Sequence, residues 1–171
     1  MPEFDPIRLL RTLQRHDVTF VVVGGIAAIA QGSPLPTEDL DITPARDPEN
    51  LRRLAAALSE LEATLRVPRG PGVPFPIDAL FLADGQAWTL ETKFGPFDLV
   101  IVPAGTSGYD DLASDAHEAT LGDNLVVRIA SLRDLIRMKE AAGREKDLMA
   151  LPALRRTLEL SRERERRGEP T

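Results

Sequence analysis

The stretch that decides the fold is Thr19–Ile42, TFVVVGGIAAIAQGSPLPTEDLDI. It opens on a run of β-branched residues with one phenylalanine, Thr19–Val23, which reads as a buried strand ending at Gly24-Gly25. The small residues of Ile26–Ala30 suit a short helix directly after it. Gln31–Pro36 (QGSPLP) is a turn, because a glycine and two prolines stop both regular structures. Leu40–Thr43 then reads as a short strand with Asp39 at its mouth. Residues two apart on a strand share a face, so Asp39 and Asp41 project together while Leu40 and Ile42 point into the core.

That pattern carries chemistry. Two carboxylates side by side repel, and the cost is relieved by a cation or by protonation. Mg²⁺ takes a few carboxylate oxygens plus substrate phosphates, which such a pair can supply. The plain alternative is a strand end with two solvated acids. Gly24-Gly25 lets backbone N–H groups approach a phosphate with no Cβ in the way. Close packing of strand on helix would explain the glycines equally well. A third acid, Asp98, lies in Gly95–Pro103 (GPFDLVIVP), at the start of a strongly apolar strand.

Outward from this block the chain alternates. Asp5 caps a first helix with Pro6 at its first position and Ile7, Leu10 and Leu13 at helical spacing. Asp47-Pro48 opens another, with Leu51, Leu54, Leu58 and Leu61 as its apolar stripe. Val67–Pro76 (VPRGPGVPFP) is a loop, and strands are expected at Ala79–Leu82, Ala87–Lys93, Phe97–Val102 and Leu125–Ile129. After a turn at Gly105–Gly108, a short helix falls near Tyr109–Leu112. Ser131 caps a helix to Ala142, and a polar helix runs from about Lys146 towards Arg167. The expectation is an α/β fold: a mixed sheet flanked by helices over residues 1–130, with a helical C-terminal part, 131–171, packed on it.

The bulk composition narrows the function classes. Apolar residues are 43% of the 171 and charged residues 28%, ordinary for a soluble globular chain. No stretch is long and apolar enough to span a bilayer, and Met1–Pro6 (MPEFDP) is acidic, unlike a signal-peptide start, so a cytoplasmic protein without a membrane partner is expected. With no cysteine and only His16 and His117, disulfide, thiolate and zinc chemistry drop out. The net charge of −6 argues against a whole-surface nucleic-acid binder but leaves room for a local basic patch.

With these residues in view, the sequence resembles the nucleotidyltransferase superfamily. The shared pattern is an apolar residue, Gly-Gly, a gap, Thr37-x-Asp39-Leu40-Asp41-Ile42, and a third Asp on a later strand. Tyr109–Leu112 (YDDL) and Ser131–Leu148 (SLRDLIRMKEAAGREKDL) are similar to the AbiEii-like branch, which includes nucleotidyltransferase toxins of bacterial toxin–antitoxin pairs. The likeness spans about residues 18–150. It implies a nucleotidyltransferase-type fold in which Asp39, Asp41 and Asp98 hold Mg²⁺, with Asp98 alternatively a general base. It further places Gly24, Gly25, Ser33, Thr37, Lys139 and Asp147 on the NTP, with Lys139 at its phosphates. The implied acceptor is an RNA, such as a tRNA 3′ end, with an antitoxin protein as partner. A small molecule or a protein is the alternative acceptor, and a module that only binds nucleotide or a partner is the alternative class. The chain departs from the pattern in having Gly25 where relatives carry Ser, Pro34-Leu35-Pro36 where they carry a basic residue, and Ala150 where they often carry an acid.

Lys139 stands out without the resemblance. At about 3.6 residues per turn it falls on the apolar face defined by Leu132, Leu135, Ile136 and Ala142. An ammonium there either snorkels to the rim or needs an anion, for which a triphosphate or Asp147 would serve. His16 reads as a helix-end residue, and Trp88 and Tyr109 as packing residues. The arginines of 155–167 alternate with glutamates, as on a solvated helix, although Arg155 and Arg156 with Arg144 and Lys146 could meet RNA phosphates.

Overall fold

The computed structural model describes residues 3–169; Met1 and Pro2 of the expected acidic start, and the last two residues of the expected helical part, lie outside them. The elements run α1 (Pro6–Arg15), β1 (Phe20–Val23), α2 (Gly24–Ala30), β2 (Leu40–Pro44), α3 (Pro48–Glu60), β3 (Thr64–Leu65) and α4 (Ala79–Asp84). They continue with β4 (Ala87–Thr92), β5 (Gly95–Val100), α5 (Tyr109–Asp115), β6 (His117–Leu121), β7 (Leu125–Ile129), α6 (Leu132–Ala142) and α7 (Glu145–Arg167). The strands form one mixed sheet in the order β3-β4-β5-β2-β1-β7-β6. β2 lies antiparallel to β1 and parallel to β5, and β1 is parallel to β7.

Local chemistry starts these helices where the sequence places them. Asp5, Asp47 and Ser131 each accept a hydrogen bond from the backbone N–H three residues on, satisfying a donor that the first helical turn leaves free. Leu9, Leu10 and Leu13 of α1 and Leu54 and Leu58 of α3 are fully buried, and one apolar cluster joins them to Leu40, Ile42, Phe97 and Leu99 of the sheet. Leu132, Leu135 and Ile136 of α6 and Leu151 and Leu154 of α7 belong to that same cluster. Among the described residues no helix is long and apolar enough to cross a membrane.

Three elements differ from expectation. Ala79–Leu82 is helical: the Asp78 carboxylate accepts from Phe81 N–H at 2.8 Å, and the cap turns an apolar run into α4, with Leu82 buried and Leu80 outward. β3 is two residues long, below what a periodicity argument detects. β6 is a half-exposed edge strand, closed onto β7 by Gly122-Asp123-Asn124, in which Asp123 and Asn124 both take φ of 59°. Asp and Asn tolerate that left-handed region better than other side-chain-bearing residues.

Candidate active site

The sheet itself assembles the site. Asp41 on β2 is in register with Asp98 on β5, and Asp98 with Thr89 on β4, so all three project from one face. Phe97 and Leu99, flanking Asp98, point to the other face and are fully buried, as Leu40 and Ile42 are beside Asp41. Asp39 precedes β2 and is held by Thr37, whose hydroxyl donates to its Oδ1 at 2.8 Å. Carboxylate oxygens of Asp39, Asp41 and Asp98 lie within 4.8 Å of one another.

At Asp41 and Asp98 burial outweighs what the nearby cations offset. Burial, and then the neighbouring Asp39 and Asp98, push the Asp41 carboxyl up to about 7. Burial likewise raises Asp98, against the Arg66 guanidinium that is hydrogen-bonded to its Oδ1. Three acids with one paired arginine are a site short of positive charge, and a divalent cation fits that deficit.

The glycines have a structural cause. Gly24 adopts φ of +65°, and a Cβ on it would run into the Asp41 carboxylate; a Cβ on Gly25 would run into the Thr37 side chain. The start of α2 can sit against Asp41 and Thr37 only because both side chains are missing.

The facing wall comes from α6 and α7. The Lys139 ammonium donates to Asp147 Oδ1 at 3.2 Å, and Arg144 Nε donates to Asp147 Oδ2 at 2.6 Å. Asp147 is 2% exposed and Lys139 29%. Burial pushes the Asp147 carboxyl up, but the hydrogen bonds from Arg144 and Lys139 with their charges outweigh it and leave it below the usual carboxylate range. One carboxylate thus ties down two cations, and a net positive charge faces the acids, with Lys139 and Lys146 both acting on Asp41.

Gly24, Gly25, Ser33, Thr37, Asp39, Asp41, Asp98, Lys139 and Asp147 all line one open cleft of about 1240 Å³. Ser33 is buried and its hydroxyl accepts from Leu35 N–H at 3.3 Å, so it braces the turn. The cleft also takes in Arg66, Thr89 and Glu91, which sequence reasoning passed over. Arg66 follows a strand too short to recognise and heads a Pro/Gly-rich loop, so only its pairing reveals it. Of the four cations expected as a basic patch, Arg155 and Arg156 are engaged by Glu140 and Glu159, and Arg144 and Lys146 line the cleft beside Lys139. Trp88 stacks on Phe81 at 4.4 Å and Tyr109 packs on the core, as packing residues do.

No family model and no curated protein sequence matches this chain. Solved structures do. The lincosamide antibiotic adenylyltransferase LnuA, with lincomycin bound, superposes with a TM-score of 0.57 at 13% identity, over 88% of this chain and 94% of that one. ANT(2")-Ia in complex with adenylyl-2"-tobramycin gives 0.56 at 15% identity, over 88% and 85%. A candidate nucleotidyltransferase from Thermotoga maritima gives 0.53 at 16% identity, over 88% and 94%. At such identities the likeness speaks to architecture, and the architecture of this chain is the nucleotidyltransferase fold.

Proposed function

We propose that the cleft transfers a nucleotide from an NTP to an acceptor hydroxyl, with Asp39, Asp41 and Asp98 holding Mg²⁺. The observation that carries this reading is the convergence of the three carboxylates within 4.8 Å, in a cleft whose opposite wall is cationic. Bound there, the metal would neutralise phosphate charge and stabilise the departing pyrophosphate. Lys139, Arg144 and Lys146 bind the triphosphate, and Asp147 positions the first two of them. Asp98 orients the acceptor hydroxyl through the metal or, in place of that contact, takes its proton. The acceptor oxygen bonds to the α-phosphorus as the bridge to the β-phosphate breaks, and pyrophosphate leaves. In this reading residues 1–130 are the catalytic core, and 131–171 carry the cationic wall to it.

The acceptor we favour is an RNA, with a tRNA 3′ end as the leading candidate, in a cytoplasmic toxin restrained by an antitoxin protein. The support is the resemblance of the Lys139–Asp147 block to the AbiEii-like branch. A small-molecule acceptor is the second reading, favoured by the likeness of fold to enzymes that carry lincomycin and tobramycin. Incubation with each α-labelled NTP, Mg²⁺, and either total RNA or a panel of hydroxyl-bearing small molecules separates the two. Labelled RNA supports the first and a labelled small molecule the second. Asp41→Ala should reduce transfer by about 100-fold or more while leaving the protein folded. Wild-type rates in that variant would sink the metal assignment.

A further inference from the structure

The floor of the cleft is a single row of residues crossing four strand lines, and its two ends differ. Val23, which leads into Gly24, is in register with Asp41, Asp41 with Asp98, and Asp98 with Thr89; the N–H of Arg66 donates to the carbonyl of Thr89 at 2.9 Å and completes the row. Lys139 and Lys146 act on Asp41 at one end, and Arg66 acts on Asp98 at the other. A triphosphate has its cations beside Asp41. The Arg66 end is then the acceptor side, an assignment that rests on the nucleotidyl-transfer reading above.

Arg66 is under-used where it sits. Its Nη2 donates to Asp98, yet its Nε is buried with no hydrogen-bond partner among the described residues. The guanidinium has five N–H donors in a planar fork that matches phosphate oxygens two at a time. On the same face, one step along β4, Glu91 Oε1 is also buried without a partner. Buried polar atoms are nearly always satisfied, and of the unmatched ones only these two belong to residues that line the cleft, where a ligand that turns both side chains outward would give each a partner. Val67, Pro68 and Gly70 of the adjoining loop line the same end, and Arg69 on it is exposed.

We propose that Arg66 is a specificity-determining residue of the acceptor side, taking a phosphate group that the acceptor carries close to its reactive hydroxyl. Glu91 accepts a hydrogen bond from a hydroxyl or amino group of the same molecule. As the phosphate engages Arg66, the guanidinium leaves Asp98, so an acceptor with this group frees the carboxylate and one without it does not.

Calorimetry on the full chain tests this with defined probes. The dinucleotide CpA presents a phosphodiester beside a terminal diol, and glycerol 3-phosphate presents a phosphomonoester beside a diol; adenosine and glycerol are their uncharged counterparts. Wild type should bind at least one charged probe about tenfold or more tightly than its counterpart. Preference for CpA would assign the phosphate to an RNA end, and preference for glycerol 3-phosphate to a small ester. Arg66→Gln should erase the preference. Arg66→Lys keeps a charge facing Asp98 without the planar fork, and should weaken it if the Gln variant does not fold. Equal binding of charged and uncharged probes by wild type, no binding of either, or a preference that survives both substitutions overturns the proposal. Calorimetry of wild type with NTP and Mg²⁺, with no acceptor probe present, reports separately on the nucleotidyl-transfer reading.

Discussion

Asp41 sets the energetics of the site at the scale of single residues. Its carboxyl is pushed up to about 7 by burial and by Asp39 and Asp98, against 3.8 in an unfolded chain. Between those values the folded protein holds a proton that the unfolded one has released, so metal-free stability falls as pH rises through this window. Asp41→Asn removes the effect. At pH 8 in chelator it should be more stable than wild type by about 1–2 kcal/mol, a figure discounted for the partial exposure of the carboxylate. Excess Mg²⁺ should close the gap by stabilising wild type alone. Melting transitions of both proteins across pH, with and without metal, check this; a variant less stable than wild type at pH 8 in chelator would contradict it. Lys139 and Asp147 form the second residue-scale unit. Lys139→Met should leave Asp147 served by Arg144 and cost about 1 kcal/mol of stability, while lowering kcat/KM by about 2–3 kcal/mol of transition-state binding. Asp147→Asn strands two cations and should cost more stability, about 1–2 kcal/mol at neutral pH. Because the folded pKa of Asp147 is depressed, its contribution is present above about pH 4 and fades as pH falls further, so the two proteins should converge there. A double-mutant cycle in melting and in kcat/KM separates structural coupling from phosphate contact.

At the scale of elements, caps decide between competing readings of the same apolar letters. Ala79–Leu82 alternates poorly and carries no β-branched residue, yet its apolar run alone suits either structure. The Asp78 carboxylate on Phe81 N–H selects the helix. Asp78→Ala should therefore destabilise the protein by about 1 kcal/mol, read as a lowered denaturation midpoint with an unchanged slope. No change would mean that packing of Leu82 alone holds α4. The β6–β7 hairpin follows the same logic, since Gly122-Asp123-Asn124, with Asp123 and Asn124 in the left-handed region, closes a strand whose own pattern is polar. β3 offers no such handle. Thr64-Leu65 is a strand because Glu91 and Leu90 of β4 lie opposite on one side and Val73 bridges to Leu65 on the other.

For the whole molecule, the helical C-terminal part and the sheet share one apolar cluster. Removing residues 131–171 would expose the partners of Leu132, Leu135, Ile136, Leu151 and Leu154. At about 2 kcal/mol per buried side chain the loss is on the order of 10 kcal/mol, comparable to the entire stability of a domain. Residues 1–130 alone should show no cooperative thermal transition by circular dichroism. A sharp two-state melt of the truncated chain would instead establish a self-sufficient core.

By itself the sequence determined what local periodicity and covalent chemistry determine. The two-residue spacing of Asp39 and Asp41 sets them on one face, the β-branched run makes β1, and Asp-Pro and Ser caps start α1, α3 and α6. Only the tertiary structure decided what depends on strands meeting across distance in the chain. The register of β2 with β5 puts Asp98 opposite Asp41, and the turn at Gly143 folds α7 back so that Asp147 reaches Lys139. Arg66 comes to Asp98 across the Thr89 backbone, although 32 residues separate the two in the chain. The physical reason is that a backbone period repeats every two or 3.6 residues and can be read in a window. Strand register and ion pairing across a sheet are set instead by how buried faces fit one another, which no window contains.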